Sequence, residues 1–207
     1  MRYYISDLHF FHKNMNHSMD MRGFETLEDM HQHMIIRWNA KVRRNDDVII
    51  LGDFSIGKGR ETNGILEQLN GRLYLIQGNH DKFLSDKNFD AGRFLWIESY
   101  KELNDDKRKV ILCHYPVFCY NGQFHKDKQG SPKTYMLYGH VHNTYDEYLT
   151  GRFQQETRES RRLVHGEMIS VPCNMINCFC MFSDYTPLTL DEWIALDQKR
   201  RENIVYR

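Results

Sequence analysis

Val48-Ile49-Ile50-Leu51-Gly52-Asp53 is an unbroken aliphatic run that stops on a glycine and a carboxylate. A short apolar run bounded by turn residues fits a buried strand, and Asn45-Asp46-Asp47 supplies the turn leading into it. The pattern recurs on both sides. Tyr3-Tyr4-Ile5-Ser6 runs into Asp7-Leu8-His9, Leu73 to Gln77 into Gly78-Asn79-His80-Asp81, Val110 to Cys113 into His114, and Tyr135 to Tyr138 into Gly139-His140-Val141-His142. Five strands thus end in metal-ligating residue types. In open sheets the loops at the carboxyl ends of strands are where sites assemble, so five such loops can converge on one place.

Helical signals lie between these runs. Thr26-Leu27-Glu28-Asp29 is a capping-box start, after which Leu27, Met30, Met34, Ile35, Trp38 and Val42 recur on one helical face up to about Arg43. A second helix is expected around 60–69, and Asn70-Gly71 turns the chain into a strand at 72–76. Further strands are expected at 94–103, 108–113 and 134–138, with Asn104-Asp105-Asp106 as a hairpin turn. The stretch 120–133 reads as a loop lying over something, and its Lys126, Lys128 and Lys133 could steer an anionic substrate or simply be solvated. Residues 145–165 carry no clear period. Alternation from Met168 to Phe182 suggests one or two strands, and Thr189-Leu190-Asp191-Glu192 caps a last helix. Alternating strands and helices indicate an α/β domain or a layered sheet-and-helix sandwich, and no repeat or linker divides residues 1–207, which read as a single domain.

Composition excludes several classes of function. The 28 Lys+Arg balance 28 Asp+Glu, so there is no global field to attract extended nucleic acid or an anionic membrane. No apolar run approaches the roughly 20 residues of a membrane span. The amino terminus lacks a signal core, so a cytoplasmic location is expected. The five cysteines (Cys113, Cys119, Cys173, Cys178, Cys180) form an odd set without a CxxC pair, which fits reduced, mostly buried thiols.

Asp7, His9, Asp53, Asn79, His114, His140 and His142 together offer more oxygen and nitrogen ligands than one ion can use. Two ions sharing a carboxylate fit better, because such a pair clamps the attacking and leaving oxygens of an in-line displacement and activates a hydroxide held between them. Phosphate ester hydrolysis suits that arrangement. Asp7-x-His9 and His140-x-His142 can each face the same ions only from an extended or turning segment, and Gly52, Gly78 and Gly139 allow tight turns beside the ligands. His80 is placed to act as general acid, with Asp81 available to fix its tautomer. His12, Asn14, Arg22 and Tyr115 are candidate substrate contacts, each with a plainer reading as a loop cap, an exposed Arg or packing. His17, His31, His33, His125 and His165 read as solvated or core histidines.

The ordered set Asp7-Leu8-His9, Gly52-Asp53, Gly78-Asn79-His80-Asp81, His114 and Gly139-His140-Val141-His142 resembles the signature of the calcineurin-like metallophosphoesterases. The stretch from Asp7 to Asn14, with Arg22-Gly23-Phe24 and Trp38-Asn39, looks like a compact single-domain prokaryotic and phage subgroup. The resemblance implies a four-layer αββα sandwich of two packed mixed β-sheets flanked by helices. It implies that one metal takes Asp7, His9, Asp53 and His142, and the other Asp53, Asn79, His114 and His140. It implies His80 as proton donor to the leaving oxygen. The expected activity is that of a dinuclear phosphoesterase acting on a small phosphate mono- or diester, with nucleotides among the candidates. The expected cofactors are two divalent ions, manganese first, with iron or zinc as alternatives. The alternatives are a nuclease or cyclic-nucleotide phosphodiesterase with the same metals, and a metal-binding scaffold without turnover.

Overall fold

The computed structural model describes residues 1–164 and 166–202, so His165 lies outside the described residues. In chain order the elements are β1 (Arg2–Ile5), α1 (Lys13–His17), α2 (Leu27–Lys41), β2 (Asp47–Ile50), α3 (Gly59–Leu66), β3 (Arg72–Ile76), β4 (Phe94–Glu98) and β5 (Tyr100–Asp105). There follow β6 (Arg108–Cys113), β7 (Thr134–Tyr138), α4 (Tyr145–Glu159), β8 (Arg161–Val164), β9 (Glu167–Ser170), β10 (Met175–Asn177) and α5 (Leu190–Glu202).

Two four-stranded sheets carry the fold, ordered β1-β2-β3-β4 and β10-β7-β6-β5. The second is mixed, with β5 antiparallel to β6, as expected. In the first, β1 to β4 are parallel, and Leu188 bridges the outer edge of β1 antiparallel at Tyr4. Its early strands are joined by α2 and α3, crossovers that return the chain to the same end of the sheet.

Strand alternation explains the four layers. Tyr4, Ile49 and Ile76 of the first sheet meet Val110, Leu112, Leu137 and Ile176 of the second in one core, closed at its side by Leu190 and Trp193 of α5. Tyr3, Ile5, Val48, Ile50 and Leu75 point the other way, onto Met30, Met34 and Trp38 of α2 and Ile65 and Leu66 of α3. Ile111, Met136 and Met175 turn outward from the second sheet, where Phe153 of α4 packs. A strand covered on both faces must be apolar at every position, which is why these runs show no alternation in sequence. Each such side chain stabilises the fold by roughly 1.5–3 kcal/mol.

The capping box at the start of α2 forms as expected, with the Asp29 amide donating to Thr26 Oγ1 at 3.0 Å and the Thr26 amide to Asp29 Oδ2 at 3.1 Å. One expectation changes and one open stretch is assigned. The strand expected at 94–103 is two strands belonging to different sheets, parted at Ser99, where the chain crosses from one sheet to the other with no Gly or Pro to mark it. The unassigned stretch 145–165 holds α4, whose buried face is Glu147, Thr150, Gly151 and Gln154. That face is held by polar bonds, such as Tyr138 Oη to Glu147 Oε2 (2.7 Å) and the Met175 amide to Gln154 Oε1 (2.9 Å), and so has no apolar period. The 120–133 stretch is a loop, as expected, and leads into β7 beside the start of β6, with the Lys109 amide donating to Lys133 O at 2.8 Å and Gln123 Nε2 to Pro172 O at 3.1 Å. Lys126 and Lys133 line a pocket there with Lys107 and Lys109, and none of the seven ligand candidates does. Among the described residues no helix is long and apolar enough to cross a membrane. All five cysteines are unpaired.

Candidate metal centre

The ends of β1, β2, β3, β6 and β7 bring the predicted ligands together in two groups. Asp7, His9 and His142 form one and Asp53, His114 and His140 the other, with the ligand atoms of each group within 4.8 Å of one another. Asn79 joins the second, its Oδ1 lying 3.1 Å from His114 Nε2. Asp53 stands between them: its Oδ2 is 3.5 Å from His9 Nε2 and 3.4 Å from His114 Nε2. One carboxylate oxygen therefore faces both groups.

Backbone conformation produces this convergence. Five of the seven candidate ligands lie in the left-handed region: Asp7 (φ 57°), His9 (51°), Asp53 (53°), His140 (69°) and His142 (48°). Asp and His tolerate that region better than most residues, yet each costs of order 1–3 kcal/mol and needs its surroundings to hold it. The loops hold one another. The Asp7 amide donates to Gly52 O at 3.0 Å, the His9 amide to Asp53 O at 2.9 Å, the His140 amide to Asp7 Oδ1 at 3.0 Å and the His80 amide to Asp53 Oδ1 at 2.8 Å. A left-handed residue at each end of Asp7-x-His9 and of His140-x-His142 is the turn that lets both side chains reach the cluster.

Close approach requires glycine at the turns beside the candidate ligands. A Cβ on Gly139 would lie 2.5 Å from Asp7 Oδ2, and one on Gly78 would overlap Asp53 Oδ1 and its amide. Gly78→Ala is accordingly expected to displace Asp53 and weaken metal binding by about tenfold or more while leaving the sheets folded. Metal content and circular dichroism measured together check this, and normal metal affinity in the variant would contradict it.

Asp7, His9, Asp53, His114 and His142 are all buried. Among the described residues the ion-pair partners of Asp7 and Asp53 are imidazoles, so no lysine or arginine neutralises either carboxylate directly. Buried charge is unfavourable unless compensated. Burial alone would depress His114, but its hydrogen bond to Asp53 and the charges of Asp7 and Asp53 outweigh it and lift it to about 9. Burial works upward on Asp53, and His114 and His9 outweigh it, leaving that carboxyl at about 2. Burial pushes His9 down to about 2, keeping it neutral as a ligand must be, and raises Asp7. His9 Nε2 and His142 Nε2 face each other at 3.1 Å, while His9 Nδ1 is buried without a hydrogen-bond partner. Carboxylate, amide and imidazole donors crowded together, with no lysine or arginine paired to the carboxylates among the described residues, fit a pair of divalent cations.

The remaining predicted residues divide. His80 is half-buried and lines a cleft of about 360 Å³ with His9, Asp53, His140 and His142, its ring centroid 5.4 Å from that of His9. His12 is half-buried beside them, 5.5 Å from the His9 ring, and the exposed Tyr115 ring lies 4.5 Å from His140. Asn14 is exposed. Asp81 does not orient the His80 ring. Its buried carboxylate accepts from the amides of Asp53 (3.0 Å), Phe54 (2.7 Å) and Gly78 (2.8 Å), which fixes the two loops carrying Asp53 and Asn79. Arg22 is likewise no exposed phosphate contact: its buried guanidinium donates to Leu8 O (2.7 Å) and Asp7 O (2.9 Å). His31, read as solvated or core, is buried, and its Nε2 accepts from the Phe11 amide at 2.9 Å.

Sequence reasoning missed Asp20, which lines the cleft and receives His142 Nδ1 at 2.7 Å. Its partner lies 122 positions away, and no local spacing links an acid in the 18–25 loop to a histidine after β7.

The pattern of the calcineurin-like phosphoesterase superfamily domain matches residues 3–155. The chain is 32% identical over 200 residues to the uncharacterized protein MJ1445 of Methanocaldococcus jannaschii, covering 95% of this chain and 91% of that one. It is 36% identical over 83 residues to the Gene 66 protein of Mycobacterium phage D29, covering 39% and 40% of the two chains. In fold it is similar to the crystal structure of the protein of unknown function AQ665 from Aquifex aeolicus, with a TM-score of 0.63, 22% identity, and coverage of 95% and 98%. By the extent of the domain match and the full-length likeness to the archaeal protein, the chain belongs to the calcineurin-like phosphoesterase superfamily.

Proposed function

We propose that this protein is a two-metal hydrolase of small phosphate mono- or diesters. The observation that carries the reading is the position of Asp53, one of whose oxygens lies within 3.5 Å of an imidazole nitrogen in each ligand group. A pair of divalent ions, manganese first among the candidates and iron or zinc after it, would supply the charge that activates water and neutralises the phosphoryl oxygens. Asp7, His9, Asp53 and His142 would hold one ion, and Asp53, Asn79, His114 and His140 the other.

The side chains have their own tasks. His80 faces the cleft from the edge of the cluster, with only its backbone amide tied to Asp53, so its ring is free to give a proton to the departing oxygen. Asp81 and the paired loops keep Asp53 in place while that happens. The cleft suits a compact phosphorylated molecule, and the balanced charge gives no support to an extended nucleic acid. We place the protein in the cytoplasm, a reading that its unpaired cysteines support.

Turnover of p-nitrophenyl phosphate and bis-p-nitrophenyl phosphate, measured with Mn²⁺, Fe²⁺ or Zn²⁺ and again with EDTA, tests this. Metal-dependent release of p-nitrophenol from at least one compound is expected, and the ratio between them separates monoester from diester preference. Bound metal with no turnover of either, or of a panel of nucleotides, would mark the protein as a binding module instead.

A further inference from the structure

Asp20 and Arg22 join the loops after β1 and β7, which carry Asp7, His9 and His142 of one ligand group. Arg22 has no exposed side-chain surface; its Nη1 donates to Leu8 O at 2.7 Å and its Nη2 to Asp7 O at 2.9 Å, holding the loop after β1. The same guanidinium grips Asp20 Oδ2 through Nε at 3.1 Å and Nη2 at 2.9 Å. Asp20 Oδ1 in turn takes His142 Nδ1 at 2.7 Å, reaching a loop that follows β7 of the other sheet. Arg22, Asp20 and His142 thus form a chain of charge-assisted hydrogen bonds between the two ligand-bearing sheets.

The chain has a chemical consequence. A carboxylate accepting from Nδ1 holds a proton there and leaves Nε2 as the atom facing Asp7 Oδ1 (3.6 Å) and His9 Nε2 (3.1 Å), the side on which a metal would bind. Metal-bound imidazoles are commonly fixed and made more basic in this way. The other group is supported differently: His114 Nδ1 lies 2.8 Å from the Leu51 carbonyl, with no carboxylate on its far side. Among the described residues, a side-chain carboxylate behind a ligand imidazole is thus seen for His142 and not for His114.

We propose that Asp20, held by Arg22, is a positioning residue that fixes the tautomer and aim of His142 and so sets the metal affinity of the Asp7/His9/His142 position selectively. This rests on the two-metal reading above. Asp20→Ala removes the carboxylate without touching a ligand, and Asp20→Asn keeps an oxygen acceptor without the charge.

The experiment is a calorimetric titration of the metal-stripped full chain with Mn²⁺, alongside ¹⁵N NMR of the histidine rings and thermal melting. Wild-type protein is expected to take up two equivalents. In Asp20→Ala one of them should weaken by about 10- to 100-fold while the other is unchanged, with Asp20→Asn between the two. His142 should lose its Nδ1–H preference in Asp20→Ala even without metal. Equal weakening of both equivalents together with a lowered melting temperature would make Asp20 a general structural residue and overturn the proposal. Two unchanged equivalents, or an unchanged His142 tautomer, would overturn it too while leaving the two-metal site standing. Wild-type protein that takes up no metal would remove the site reading itself.

Discussion

Asp53→Asn is expected to reduce binding at both metal positions together and to lower phosphoesterase turnover by about a thousandfold, a loss of roughly 4 kcal/mol of barrier lowering. The reason is its place between the groups: its Oδ2 faces His9 on one side and His114 on the other. An amide there offers one neutral oxygen and turns a donor NH₂ toward an imidazole or toward the His80 amide. The fold should survive. The Asp81 carboxylate, which receives the amides of residues 53, 54 and 78, is untouched, and so is the pairing of the loops after β1 and β2. Elemental analysis of the purified variant, with activity measured on the same sample, checks this. Wild-type metal content in Asp53→Asn would show that the carboxylate is not shared.

His80→Ala is expected to behave in the opposite way. Its bond to Asp53 runs through the backbone amide, which alanine keeps, so metal content should stay at the wild-type level. Turnover should fall by about 10²- to 10⁴-fold, the usual contribution of a positioned general acid. Leaving groups separate the roles further. An ester that releases a poorly stabilised alkoxide depends on the proton and should lose most, whereas one that releases p-nitrophenolate should lose much less. Equal, small losses for both classes of ester would remove His80 from proton donation.

The convergence of the candidate ligands was more legible in the sequence than its supports. Each candidate ligand could be read because a strand of uniformly apolar residues stops at it, and that uniformity is itself the trace of two sheets packed face to face with helices outside. What stayed hidden depends on long-range geometry. Asp81 adjoins His80 in sequence, yet its carboxylate turns to the amides of the neighbouring strand end; adjacency along the chain says nothing about direction. Arg22 looked like an exposed cation because sequence does not reveal the two carbonyls and the carboxylate that enclose it. Helix α4 escaped because Glu147 and Gln154 do on its inner face what leucines would do elsewhere. The parting of β4 from β5 escaped because Ser99 breaks no pattern that a strand must obey.

The central claim is that a single aspartate is shared by two cations. Electron paramagnetic resonance of the manganese-loaded wild-type protein addresses it directly, since ions joined through a common ligand couple their spins. An exchange-coupled dimanganese spectrum that Asp53→Asn abolishes is expected. A spectrum of isolated Mn²⁺ ions at full metal loading would contradict it.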